Sequence, residues 1–178
     1  MPTDVTPALP NELPVLALRQ TVVFPLTLQP LAVGRPGSVE SVHRALAADR
    51  LLFLTLQDGE HDDPEPGDLK PVGTVAAIRQ MAKVPGDGVH IIVEGLARAR
   101  ASSFAKHGLG LQATITPATE HVERTIEIDA YVRRLRELMD RAMSVMSGLS
   151  QELRAAIMGI DDPLRLAYLL SSLLDMKG

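Results

Sequence analysis

Proline sets the limits on this fold. The chain has 13 prolines, yet none falls between Pro117 and Pro163. A proline inside a helix removes a backbone donor and costs about 3 kcal/mol. After Pro117 the chain turns to Glu, Arg, Leu and Met, and a helical part is expected there. Before it, Pro14, Pro25 and Pro30 sit inside apolar runs. There they deny ladder donors and mark edge strands or bulges. The expected fold class is α+β: a small, heavily bent β-sheet or barrel with one short helix over 13–117, then an all-α part over 118–178. Residues 1–12 hold three prolines and little pattern, and are expected to be a flexible tail.

Residues 13–18 alternate as a strand, Val22-Val23-Phe24 follows, and 26–33 continues around Pro30. Ser38 is expected to cap a helix carrying Val39, Val42 and Leu46 on one face and closing near Asp49. The unbroken apolar run 51–56 predicts a buried strand, and the acidic stretch 58–70 a solvated loop. Residues 72–81 and 89–93 pair through the turn chemistry of Pro85-Gly86-Asp87-Gly88. A bulge is expected at Glu94-Gly95, after which 96–102 resumes and 109–116 returns as the last strand. Beyond Pro117, Ile128, Val132, Leu135, Leu138, Met139 and Met143 predict one long helix ending near Gly148. Ser150 starts a second, with Leu153, Ala156 and Ile157 on one face. Asp161-Asp162-Pro163 starts a third, with Leu166, Leu169, Leu170, Leu173 and Leu174 along its apolar face.

No catalytic constellation emerges. The chain lacks a Gly-x-x-x-x-Gly-Lys-Ser/Thr run and a Gly-x-Ser-x-Gly elbow, and no motif surrounds its lysines. With 0 Cys, disulfides, thiolate metal sites and Cys nucleophiles are excluded together. None of the 5 His pairs with another at helical zinc spacing. His61 beside Asp62 and Asp63 is the best metal candidate, but a solvated acidic loop explains it better. No catalytic, cofactor-binding or metal residue is assigned. A net charge of −4 and 3% aromatic residues argue against nucleic acid. No apolar run approaches the ~20 residues of a spanning helix, and the start lacks a signal peptide. The expectation is a soluble cytoplasmic protein that does not enter membranes. Met139, Met143 and Met146 read first as core filling and second as an adaptable apolar surface.

The run Leu13-Pro14-Val15-Leu16-x-Leu18-Arg19, followed by Val22-Val23-Phe24-Pro25, resembles the opening of the N-terminal domains of Lon proteases. The likeness continues through Pro30-Leu31-x-Val33-Gly34-Arg35. It is strongest in Val72-Gly73-Thr74-Val75-Ala76-x-Ile78-x-Gln80-Met81 and Val93-Glu94-Gly95-Leu96-x-Arg98-Ala99-Arg100. Ile160-Asp161-Asp162-Pro163-x-Arg165-Leu166-Ala167 is similar to the start of the family's last N-terminal helix. One departure stands out: the family usually has Gly and Met after Phe-Pro, where this chain has Leu26 and Thr27.

The resemblance implies a PUA-like, barrel-like subdomain followed by a helical one. It implies capture of unfolded or damaged polypeptide and support of a homo-oligomer, a hexamer in the whole protease. It also implies that the ATPase and Ser–Lys protease modules, with their ATP and Mg, lie outside this chain, which is then no enzyme itself. The isolated piece is expected as a monomer or weak dimer. Alternatives are a stand-alone Lon-type adaptor or a PUA-like nucleic-acid-binding module, the latter opposed by charge. Capture needs exposed apolar surface rather than catalytic residues. The expected polypeptide-binding patch is Pro25, Leu26 and Leu28, on an edge broken by prolines, with Met81 and Val84 near a hairpin tip. The competing reading has Leu26 and Leu28 filling the barrel.

Overall fold

A computed structural model describes residues 9–118, 120, 122–145 and 150–173. They divide into two compact units, the second spanning Glu120–Leu170. The first unit holds β1 (Glu12–Leu18), β2 (Leu28–Val33), α1 (Pro36–Ala47), β3 (Leu51–Leu56), β4 (Val72–Lys83), β5 (Val89–His107) and β6 (Gly110–Pro117). The sheet is mixed: β1 and β3 run parallel, and the other pairs are antiparallel. Strand order is β2-β5-β4-β3-β1-β6, and β5 also pairs with β6. The ladders thus run from β5 through β4, β3, β1 and β6 back to β5, while β2 lies outside this circuit, along Val89–Glu94 of β5.

Strand β5 serves three partners because it is 19 residues long and bends. Its register slips at Leu96, opposite the Val75/Ala76 step, and again between Ala101 and Ser103. Each extra residue kinks and twists a strand. The bulge expected at Glu94-Gly95 therefore falls one residue later, and the strand continues through it to His107 rather than restarting.

The run in β3 is apolar except for Thr55, whose hydroxyl donates to the Lys70 carbonyl at 2.6 Å, because both of its faces are buried. Phe53 packs with Leu13, Val15, Val75, Ala99, Leu111, Ala113 and Ile115. Leu52 and Leu54 point the other way, into a cluster with Leu16, Ile78, Ile91 and Val93, capped by Val42 and Ala45 of α1.

Three local expectations are corrected. Helix α1 starts at Pro36, which occupies the first turn, so Ser38 lies inside the helix instead of capping it; Arg35 is the N-cap and makes no side-chain cap bond. Val22-Val23-Phe24 forms no strand and is pinned instead, Thr74 Oγ1 donating to the Val23 carbonyl at 2.7 Å. The 58–70 stretch is more than a solvated loop. Pro64 and Leu69 are buried, Pro66–Asp68 forms a 3-10 turn, and Lys70–Asp58 and Lys106–Asp63 pair at 2.7 Å. Order also begins before Leu13: Leu9 packs on the Phe53 cluster, and the Asn11 carbonyl accepts from Ile115 N at 2.7 Å. The expected tail before Leu9 lies outside the described residues.

The second unit holds α2 (Ile126–Val145), α3 (Gln151–Met158) and, as far as Leu170, α4 (Pro163–Leu173). Met139, Met143 and Leu166 form its centre, with Val132, Leu135, Ile157, Ile160 and Leu170 packed around them. Met139 and Met143 are thus core filling, while Leu138 and Leu173 face solvent and Tyr168 is buried. Gly148, Met146 and Leu174 lie outside the described residues. Asp162 caps α4 as expected, its carboxylate accepting from Leu164 N at 2.9 Å. Among the described residues no helix is long and apolar enough to cross a membrane.

Candidate functional site

The entry to β2 holds one of two non-glycine residues with left-handed backbone among the described residues, the other being Arg50. After Phe24-Pro25 the chain must turn and join β5. Leu26 does this with φ +63°, in the left-handed region. Leu26 N donates to the Gly95 carbonyl at 2.8 Å, and Gly95 N donates to the Thr27 carbonyl at 2.9 Å. Two residues of one strand thus oppose a single residue of the other, which is a β-bulge, and its first position takes the left-handed conformation usually given to glycine. Thr27 Oγ1 closes the turn onto the Phe24 carbonyl at 2.7 Å. Gly95 is required opposite: a Cβ there would collide with the Phe24 carbonyl oxygen and stand 3.0 Å from Pro25 Cα.

This turn sorts the apolar candidates. Pro25 is buried beneath it and offers no surface. Leu26 and Leu28 are turned outward, at 48% and 67% exposure, so they do not fill a core. Met81 is half-buried against the Leu52 cluster, in the cross-strand row Leu31–Ile91–Met81. Val84 is half-buried at the hairpin end, where its N donates to the Gly88 carbonyl. The candidates do not form one stripe: Leu26 and Leu28 lie at one end of the β2-β5-β4 sheet and Met81 and Val84 at the other, and the register puts Leu28 and Met81 on opposite faces.

Between those ends lie residues that the sequence reading passed over. Pro30, Leu31 and Ala32 join Gln80, Met81, Ala82, His90 and Ile92 around an apolar cleft of about 470 Å³. The available signal was Pro30, whose missing N–H marks an edge. A second cleft, of about 490 Å³, opens on the other side of β2, between it and Leu16–Arg19 of β1. Its polar wall is Arg35, which donates to Gln57 Oε1 and to the Ala17 carbonyl. Burial, and then the nearby Arg19 guanidinium, pull the Arg35 pKa below its ordinary value. Arg19 itself pairs with Asp62.

Among the described residues no catalytic group of side chains is assembled elsewhere. His61 Nε2 meets Asp68 Oδ2 at 2.8 Å, within a 3-10 turn where Asp68 also accepts from Glu65 N at 2.7 Å. Among the described residues no group of three or more His, Asp or Glu could hold a metal ion. Arg79 is paired with Glu94.

The chain was compared with known proteins. Residues 12–178 match the family described as the ATP-dependent protease La (LON) substrate-binding domain. It is 37% identical over 174 residues to a Lon protease of Desulfovibrio desulfuricans, covering 96% of this chain and 20% of that protein. Against Lon protease 2 of Bdellovibrio bacteriovorus the identity is 36% over 172 residues, covering 95% of this chain and 22% of that protein. The chain thus spans about a fifth of the length of these relatives. The solved N-terminal domain of Mycobacterium avium complex Lon protease has the same fold, at TM-score 0.60 and 21% identity, over 90% of this chain and 97% of that one. On the match over 12–178, the chain belongs to the family of Lon substrate-binding domains.

Proposed function

We propose that this chain captures unfolded or damaged polypeptide for an ATP-dependent Lon-type serine protease. Unfolding and cleavage would belong to the rest of such a protein, with ATP and Mg, in the cytoplasm. The observation that carries the reading is the pair Leu26 and Leu28. Both are exposed leucines, presented by a bulge whose geometry costs a leucine energy, on the rim of a sheet with apolar clefts on both sides. Such a surface grips apolar segments of many sequences weakly. Copies assembled in a homo-oligomer, which these domains would help to hold together, would multiply that grip through effective concentration.

The test is titration of the chain with a permanently unfolded protein, followed by NMR. Leu26→Ala and Leu28→Ala should each weaken binding by about 1–2 kcal/mol. Leu28→Ala should leave stability within about 0.5 kcal/mol. Unchanged affinity in both variants would refute the assignment. A stability loss of about 2–5 kcal/mol for Leu28→Ala would instead place it in the core. ATP and peptide turnover by the chain alone should be absent.

A further inference from the structure

We propose that a captured polypeptide binds as an added β-strand along the outer edge of β2; the inference rests on the capture reading above. The bulge fixes the hydrogen-bond parity of β2. Gly95 N donates to the Thr27 carbonyl, so Thr27 faces β5. From Thr27 the pattern alternates, and the register pairs Gln29, Leu31 and Val33 with Val93, Ile91 and Val89. Leu28, Pro30 and Ala32 therefore aim their backbone groups away from β5. Among the described residues no strand or loop backbone bonds them from that side. Pro30 fits this parity, since the donor it lacks would have faced outward.

The edge is unpaired, and it is guarded only by the bulge at its entry and by Pro30. Natural edges are commonly blunted by charged side chains, prolines or bulges. The sequence of β2, Leu-Gln-Pro-Leu-Ala-Val, holds no charge. Pro30 lies at the middle of the outward set. Antiparallel pairing with a second copy centred there would set proline against proline and remove both central hydrogen bonds. A foreign extended chain has no such defect. It can donate to the Leu28, Pro30 and Ala32 carbonyls and accept from Leu28 and Ala32 N–H. Only a polypeptide backbone repeats donor and acceptor at the edge's two-residue spacing of about 6.6–6.8 Å. Space for it exists in the cleft between β2 and Leu16–Arg19. On its far wall Arg35 already occupies the Ala17 carbonyl, so the guest strand is read by β2. Side chains of the guest would then fall toward the apolar residues on either side of β2, as in other strand-addition modes.

The experiment uses the whole chain and a ten-residue peptide rich in Val, Leu and Phe, alongside the same peptide with alternate backbone amides N-methylated. Amide hydrogen exchange is read by NMR. Leu28 and Ala32 amides should exchange freely in the unbound chain and slow at least tenfold with the peptide. Gln29, Leu31 and Val33 should be protected in both states. N-methylation should weaken binding at least tenfold, and Ala32→Pro should weaken it severalfold where Ala32→Val does not. If the two peptides bind equally and Leu28 and Ala32 stay unprotected, strand addition is wrong while capture by side chains stands. If neither peptide nor an unfolded protein binds, both readings fail. Protection of Leu28 and Ala32 that rises with protein concentration alone would assign the edge to a second copy and overturn the proposal.

Discussion

Leu26 allows a test in which sign alone decides. Its φ of +63° is closed to most residues that carry a β-carbon, at a cost of roughly 1–2 kcal/mol. Glycine escapes that cost but has a more flexible unfolded chain, which takes back about 0.4–1 kcal/mol. Comparing Leu26→Gly with Leu26→Ala removes the side chain from both and isolates the backbone. Leu26→Gly should be the more stable by about 0.5–1 kcal/mol. At an ordinary φ it would be the less stable, by about 0.4–1 kcal/mol. Because Leu26 is 48% exposed, truncation to Ala should itself cost no more than about 1 kcal/mol. Urea unfolding followed on the methyl signals of Leu54 and Val93, both in the first unit, gives the difference in midpoints at constant slope. A Leu26→Gly protein less stable than Leu26→Ala would refute the bulge geometry.

Gly95→Ala should destabilise by about 1–3 kcal/mol, because its Cβ must displace the backbone of Phe24 and Pro25; an unchanged urea midpoint would contradict that packing. Phe53→Ala should cost about 3–5 kcal/mol and Leu166→Ala about 2–5 kcal/mol, each lowering the midpoint of its own unit. The Asp68 carboxyl should titrate below 3.8, held down first by Glu65 N–H and then by His61. Its contribution to the 3-10 turn is therefore present above 3.8 and lost as pH falls through the lower folded value; a carboxyl ¹³C midpoint at or above 3.8 would contradict this.

Local chemistry announced much of the first unit. The Pro85–Gly88 turn and the doubly buried β3 each follow from residues within a few positions of one another. What could not be read involves partners far along the chain. Asp62 and Asp63 looked like loop charges because Arg19 and Lys106, each 43 residues away, are what hold them. Pro25 looked exposed because nothing local shows that Gly95 lets the turn settle onto β5. Ser38 is a local exception: it looked like a cap although Pro36, two residues earlier, already starts the helix. For the patch, hydropathy marked Leu26 and Leu28 without showing the left-handed backbone. The departure from a customary glycine was the only sequence hint of that conformation. Pro30 marked an edge in the sequence, but which backbone groups face outward, Ala32 among them, became legible only once the hydrogen-bond parity of β2 was known.

The circuit of strands also sets a timetable. Glu12 of β1 bonds to Gln112 of β6 across 100 residues of chain. At about 5–20 residues per second, a ribosome needs about 5–20 s to bridge that gap. Throughout this interval β1 has one flank without its mate, and the cluster around Phe53 lacks Leu111, Ala113 and Ile115. The first unit thus stays open through much of its own synthesis, with its final closure delayed until β6 clears the exit tunnel.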